Sequence, residues 1–87
     1  TDNITKFALA RYDTTGALDT TGFGTSGIVI TEIQFEAKIN SIVLQADEKI
    51  IAGGYSYGEL ANEFTLARYN TDGTIDTGFG DNGVTLT

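Results

Sequence analysis

Phe7-Ala-Leu-Ala-Arg-Tyr-Asp-Thr-Thr-Gly-Ala-Leu-Asp19 returns 57 residues later as Phe64-Thr-Leu-Ala-Arg-Tyr-Asn-Thr-Asp-Gly-Thr-Ile-Asp76. Just beyond it, Gly22-Phe-Gly-Thr-Ser-Gly-Ile28 returns as Gly78-Phe-Gly-Asp-Asn-Gly-Val84, at an offset of 56 because Thr21 has no counterpart. Phe, Leu, Ala, Arg, Tyr, Asp and Gly recur at matched places, which chance does not produce. The chain therefore holds one full period and a second copy of its more constant half. A repeat of this length marks one supersecondary unit that buries its apolar surface only against a neighbouring unit.

The repeated stretch predicts its own turn. With Thr14-Thr15-Gly16 as a three-residue hairpin loop, Asp13 falls opposite Ala17, Tyr12 opposite Leu18 and Arg11 opposite Asp19. The third loop residue of such a hairpin needs positive φ, and it is Gly16. The second copy repeats every term, with loop Thr71-Asp72-Gly73 and Arg68 opposite Asp76. An Arg facing an Asp across a hairpin forms an ion pair. Because each Arg shares a strand face with Phe and Leu, the pairs are expected to be at least partly buried.

The remaining apolar runs read as strands. Phe7 to Tyr12 and Glu63 to Tyr69 alternate Phe/Leu/Arg on one face with small residues and Tyr on the other. Ile28 to Ile33, Ser41 to Gln45 and Ile50 to Tyr55 are β-branched runs, the last ending in Gly53-Gly54. Apolar residues on both faces predict strands covered on both sides, as in stacked sheets. Ala37, Ile39, Ile42, Val43, Ala46 and Ile50 also fit a helical stripe over Glu36–Ile51. Asn40-Ser41 in its interior, the Ile42-Val43 pair and the lack of an N-cap favour two strands with a turn at Ala46-Asp47-Glu48-Lys49 instead.

The run Ala46-Asp47-Glu48-Lys49-Ile50-Ile51-Ala52-Gly53-Gly54, with Phe64 to Asp76 and Gly78-Phe79-Gly80-Asp81-Asn82-Gly83-Val84, resembles the delta-60 repeat. That is a bacterial tandem repeat of uncharacterised function whose sequences are similar to β-propeller blades. The resemblance covers roughly Ile39 to Thr87 and, in its second half, Phe7 to Thr31. Ala46-Asp47-Glu48 departs from the Pro-Asp-Gly usual in the family, so this turn is less tightly specified. The resemblance implies a secreted or surface location in a bacterium, many tandem copies and no assigned chemistry.

A propeller blade has four antiparallel strands. The expected fold is all-β, a four-stranded antiparallel propeller-like blade amounting to about one and a half repeats. In this reading residues 7–31 end a preceding blade, 28–69 form one blade and 70–87 begin the next. Closed propellers need about four to eight blades. The chain is thus expected either to sit within a longer protein or to associate with other copies of itself.

Other motifs compete poorly with this reading. Gly22 to Gly27 and Gly78 to Gly83 both match G-x-G-x-x-G, but a β-branched strand follows each where a dinucleotide site needs a helix. They read as turns whose Phe23 and Phe79 plug the space between sheets. Asn70, Asp72 and Asp76 resemble part of a calcium loop, yet Arg68 stands where a further acid would be, and six or more oxygens are needed. Ser26, Ser41 and Ser56 have no His to activate them, and no pair of acids stands in a distinctive setting for glycoside hydrolysis. Tyr55 and Tyr57, in an expected loop from Tyr55 to Asn62, are the candidate ligand-contacting residues. Asn3-Ile4-Thr5 matches a glycosylation sequon.

Composition narrows the classes further. The 87 residues allow one small domain, with 5 Lys+Arg against 12 Asp+Glu and a net charge of −7. No Cys, His or Met is present, which removes zinc-finger, haem, disulfide and imidazole chemistry. Five scattered basic residues make no patch for a phosphate backbone. No apolar run reaches the ~20 residues of a membrane helix. Thr1 begins no charged-then-apolar leader, so a signal peptide is expected to be already removed. The expected role is a non-enzymatic structural or interaction module without cofactor, partnered by its own copies or adjacent repeats. The alternative is a ligand-binding module, with glycans as the ligand class, using the Tyr55–Asn62 segment.

Overall fold

The computed structural model describes residues 5–59 and 61–87. The sequon at Asn3 lies outside them. Six strands form in chain order: β1 (Phe7–Ala10), β2 (Ile28–Thr31), β3 (Glu36–Leu44), β4 (Ile50–Tyr57), β5 (Asn62–Tyr69) and β6 (Val84–Leu86). They make a four-stranded antiparallel sheet, β3-β4-β5-β6, and a separate two-stranded sheet, β1-β2. The protein is all-β, a propeller-like blade preceded by half of another.

The helical alternative over Glu36–Ile51 is not adopted. β3 and β4 pair from Glu36↔Tyr57 to Leu44↔Ile50, with one irregularity between Ile39 and Ser41. Gly54 sits beside that irregularity, and a Cβ there would run into Lys38 O and the Cα of Ile39. This is the close backbone approach that excludes any larger residue. The β3–β4 turn closes through Gln45 N donating to Lys49 O (2.8 Å) and Glu48 N to Gln45 O (2.8 Å). Glu48 adopts φ 71° there.

Two expectations are corrected. β2 does not open the blade of residues 28–69; it pairs with β1, in register from Phe7↔Thr31 to Ala10↔Ile28. The fourth strand of the blade is β6, which pairs with β5 through Ala67↔Val84. The 70–87 segment thus completes a sheet rather than beginning the next. The reason lies in the repeated turn: the hairpin and Gly loop reverse the chain twice and return it to the strand it left, in both copies. The second correction concerns burial. Each sheet is covered on one face only.

The core lies between the sheets. Phe7, Leu9, Phe23 and Ile33 from the N-terminal sheet and its loops meet Ala37, Ala52, Ala67 and Tyr69 of the blade, all buried. Three small Ala side chains in adjacent strands let the larger Phe and Leu side chains approach closely. Ser56 and Thr65 are buried beside them. Gln34 Nε2 donates to Ser56 Oγ (2.6 Å), Ser56 Oγ meets Thr65 Oγ1 (2.7 Å), and Thr65 Oγ1 donates to Glu63 O (3.0 Å). With Thr65 spending its proton on a carbonyl, Ser56 is the donor to Thr65, and the chain is fully satisfied.

Candidate functional site

The two copies of the repeated stretch fold alike. In each, the hairpin closes as the sequence predicts: Asp13 N donates to Ala17 O and Asp19 N to Arg11 O, while Asn70 N donates to Thr74 O and Asp76 N to Arg68 O. Gly16 and Gly73 both take φ 91°. The side chains then converge. Arg11 Nε donates to Asp19 Oδ2 (3.0 Å), and its guanidinium lies 4.8 Å from the Phe23 ring centre. Arg68 Nε donates to Asp76 Oδ2 (2.9 Å), with its guanidinium 4.7 Å from the Phe79 ring. Each Arg is held between a carboxylate and an aromatic face, a cation–π contact in which the planar guanidinium can stack on the ring while its edge meets the carboxylate. Both pairs are partly covered.

Electrostatics follow the hydrogen bonds. Arg11 and the Gly22 amide hold the Asp19 carboxyl below its ordinary value of 3.8. Lys49, whose Nζ lies 2.8 Å from Asp76 Oδ2, together with the Gly78 amide and Arg68, does the same for Asp76. Lys49 was invisible as a partner in the sequence because it reaches Asp76 from the β3–β4 turn, 27 positions away.

The second Arg–Asp–Phe cluster differs from the first in what lies beyond it. Arg11 Nη1 donates to Thr71 O (2.8 Å), Gly24 N donates to Asp72 O (2.7 Å), and Thr31 Oγ1 meets Tyr69 OH (2.7 Å). All three bonds cross from the N-terminal sheet to the blade. Their counterparts one period on, Arg68 Nη1, Gly80 N and Thr87 Oγ1, have no hydrogen-bond partner among the described residues. Phe7 is wholly buried, whereas its counterpart Phe64 is 78% exposed.

The remaining candidates fall as follows. Asn70 Nδ2 donates to Thr74 Oγ1, Asp72 Oδ1 accepts from Thr74 N and Oγ1, and Asp76 is held by Lys49 and Arg68. These bonds tie the three side chains to the hairpin and, through Asp76, to Lys49 of the β3–β4 turn. Among the described residues no group of three or more acidic side chains could hold a metal ion. The two glycine loops share one conformation and place Phe23 in the core and Phe79 half-buried. Tyr55 and Tyr57 are not on a loop: they stand on β4, 5.5 Å apart between ring centres. Gly53-Gly54 continues into a strand because β5 pairs along its whole length. The two Tyr rings line an open recess of about 450 Å³ with Asn62, Glu63, Phe64 and Thr87. This recess is continuous with the uncovered face of the blade.

Residues 45–79, from the β3–β4 turn through β4, β5 and the second Arg–Asp hairpin to Phe79, match the model of a family described as a domain of unknown function (DUF5122) beta-propeller. The match supports a propeller-like repeat family. No curated protein and no solved structure matches the chain.

Proposed function

We propose that this chain is a non-enzymatic structural and interaction module of a secreted or surface repeat protein, working by stacking blade on blade. The observation that supports it is the contact inside the chain, where half a blade already covers one face of a whole one through three crossing hydrogen bonds. Large apolar side chains remain exposed on the two outer faces, including Phe64, Leu66, Ile28 and Ile30. Exposed apolar faces of this extent mark surfaces that meet another protein. No cofactor takes part in this reading, and its partners are copies of the same module or neighbouring repeats.

Light scattering on the purified chain over a wide concentration range tests it. The mass is expected to rise with concentration and to be indifferent to calcium or chelator. A second reading is favoured by one observation, the recess floored by Tyr55, Tyr57 and Phe64. Paired aromatic faces beside Asn and Glu suit a glycan ring. Saturable glycan binding by a constant monomer, abolished by Tyr55→Ala, would replace stacking with ligand capture.

A further inference from the structure

The contact between the two sheets has two sides, and each side recurs, uncovered, at the opposite end of the molecule. Phe7, Leu9, Arg11, Phe23 and Thr31 make one side. One period on they become Phe64, Leu66, Arg68, Phe79 and Thr87, on the outer face of the blade. The other side is made by Ala67, Tyr69 and the loop Thr71–Gly73. One period back these are Ala10, Tyr12 and the loop Thr14–Gly16, on the outer face of the N-terminal sheet, where Tyr12 is 60% exposed.

We propose that a second copy of this chain docks head to tail, seating the outer face of its β1-β2 sheet on the outer face of the blade. The proposal rests on the stacking reading above and names the surfaces that carry it. Each polar group has its mate. Arg68 Nη1 would donate to Thr14 O of the second copy, as Arg11 does to Thr71 O. Gly80 N would donate to Thr15 O of the second copy, as Gly24 N does to Asp72 O. Tyr12 OH of the second copy would meet Thr87 Oγ1, as Tyr69 meets Thr31. Phe64 and Leu66 would pass from water into contact with Ala10, Tyr12 and Ile28 of the second copy. Because the two faces differ, the contact is heterologous and leaves one free face at each end, so further copies add by the same contact, to a ring if the rotation closes and to an open filament if it does not. The β3-β4 half of the covering surface, with Ala37 and Ala52, has no counterpart in a two-stranded sheet. The contact is therefore smaller than the internal one, and association belongs in the weak, micromolar class.

Glycine supplies the sharpest test. A Cβ on Gly73 would lie 2.8 Å from Val29 Cγ2, 2.9 Å from Gly24 N and 3.2 Å from Phe23 Cδ1, whereas one on Gly16 would meet nothing within 4 Å. Gly16→Asn keeps a residue that tolerates positive φ and adds a side chain that only a docked copy would feel. Phe64→Lys places a charge on the opposite face, at a side chain the folded chain leaves in water. Light scattering and circular dichroism on both variants, alone and mixed, decide the matter. Each variant alone is expected to keep its strand content and to stay monomeric where the parent chain grows. The equimolar mixture is expected to give a dimer and nothing larger, because one intact face of each kind remains.

Association of either variant alone as strong as the parent's, or a mixture that stays monomeric, overturns this interface while leaving the stacking reading in place. A parent chain that is monomeric at every concentration overturns both. Should Gly16→Asn lower the melting temperature, Ile30→Lys blocks the same face from a side chain that is 64% exposed.

Discussion

At the scale of single residues, the polar chain Gln34–Ser56–Thr65–Glu63 is the least forgiving feature of the core. Ser56 is 0% and Thr65 1% exposed, so neither hydroxyl has water to turn to. Thr65→Val keeps the shape but strands the Ser56 proton, at a cost of about 2 kcal/mol, the desolvation penalty of an unmade buried hydrogen bond. Urea unfolding would read this as a lower midpoint with an unchanged slope. A double variant in which Ser56→Ala accompanies Thr65→Val should recover part of the loss, because the buried Ser56 proton is then gone and the donor that loses its acceptor, Gln34 Nε2, belongs to an exposed residue that can turn to water. Nothing in the sequence marked this chain, since its members come from three separate segments and the counterpart of Thr65 in the other copy is Ala8.

At the scale of elements, local chemistry was legible and pairing across distance was not. The hairpin loops are legible to the residue, because Gly16 and Gly73 are demanded by a turn that involves only its own neighbours. The strands β3 and β4 followed from β-branched pairs that resist a helix. Adjacency in sequence pairs β2 with β3, whereas the hairpin and glycine loop carry the chain back to β1. In the sequence Gly53-Gly54 looks like a strand end, which puts Tyr55 and Tyr57 in a loop; only the pairing with β3 and β5 shows the glycines accommodating close neighbours, the Lys38–Ile39 backbone at Gly54 and Leu66 at Gly53.

The β3–β4 turn shows a local rule that the sequence breaks. Glu48 takes φ 71°, a conformation that crowds the Cβ of any L-residue and suits glycine. Glu48→Gly should stabilise the blade by about 0.5 kcal/mol, the strain relieved less glycine's greater freedom in the unfolded chain. A thermal melt should show a rise of a few degrees for a domain of this size. An unchanged or lower melting temperature would mean that the Glu48 side chain contributes more than its backbone costs.

At the scale of the whole molecule, charge sets the working range. Thr15 holds the Asp13 carboxyl below 3.8, Arg11 holds Asp19, Thr74 holds Asp72 and Lys49 holds Asp76. A carboxyl that is more acidic folded than unfolded contributes stability above its unfolded value and loses it as pH falls through the folded one. Stability should therefore be level from neutral pH down to about 5 and decline below about 4. Asp76→Asn should lower stability at pH 7 and flatten the acid limb of a urea-midpoint profile. A parallel downward shift with the acid limb unchanged would show that the Lys49 and Arg68 contacts do not set it.

The alternation of burial between the two copies has a consequence for how such a gene changes length. The face left bare at one end is the same set of residues that is covered one period earlier, and the reverse holds at the other end. Unequal crossing-over that adds or deletes one whole period therefore leaves both terminal surfaces as they were. A gain or loss of one period would then need no compensating substitution on either outer face, provided the exchange preserves the 56–57-residue offset read between the two copies.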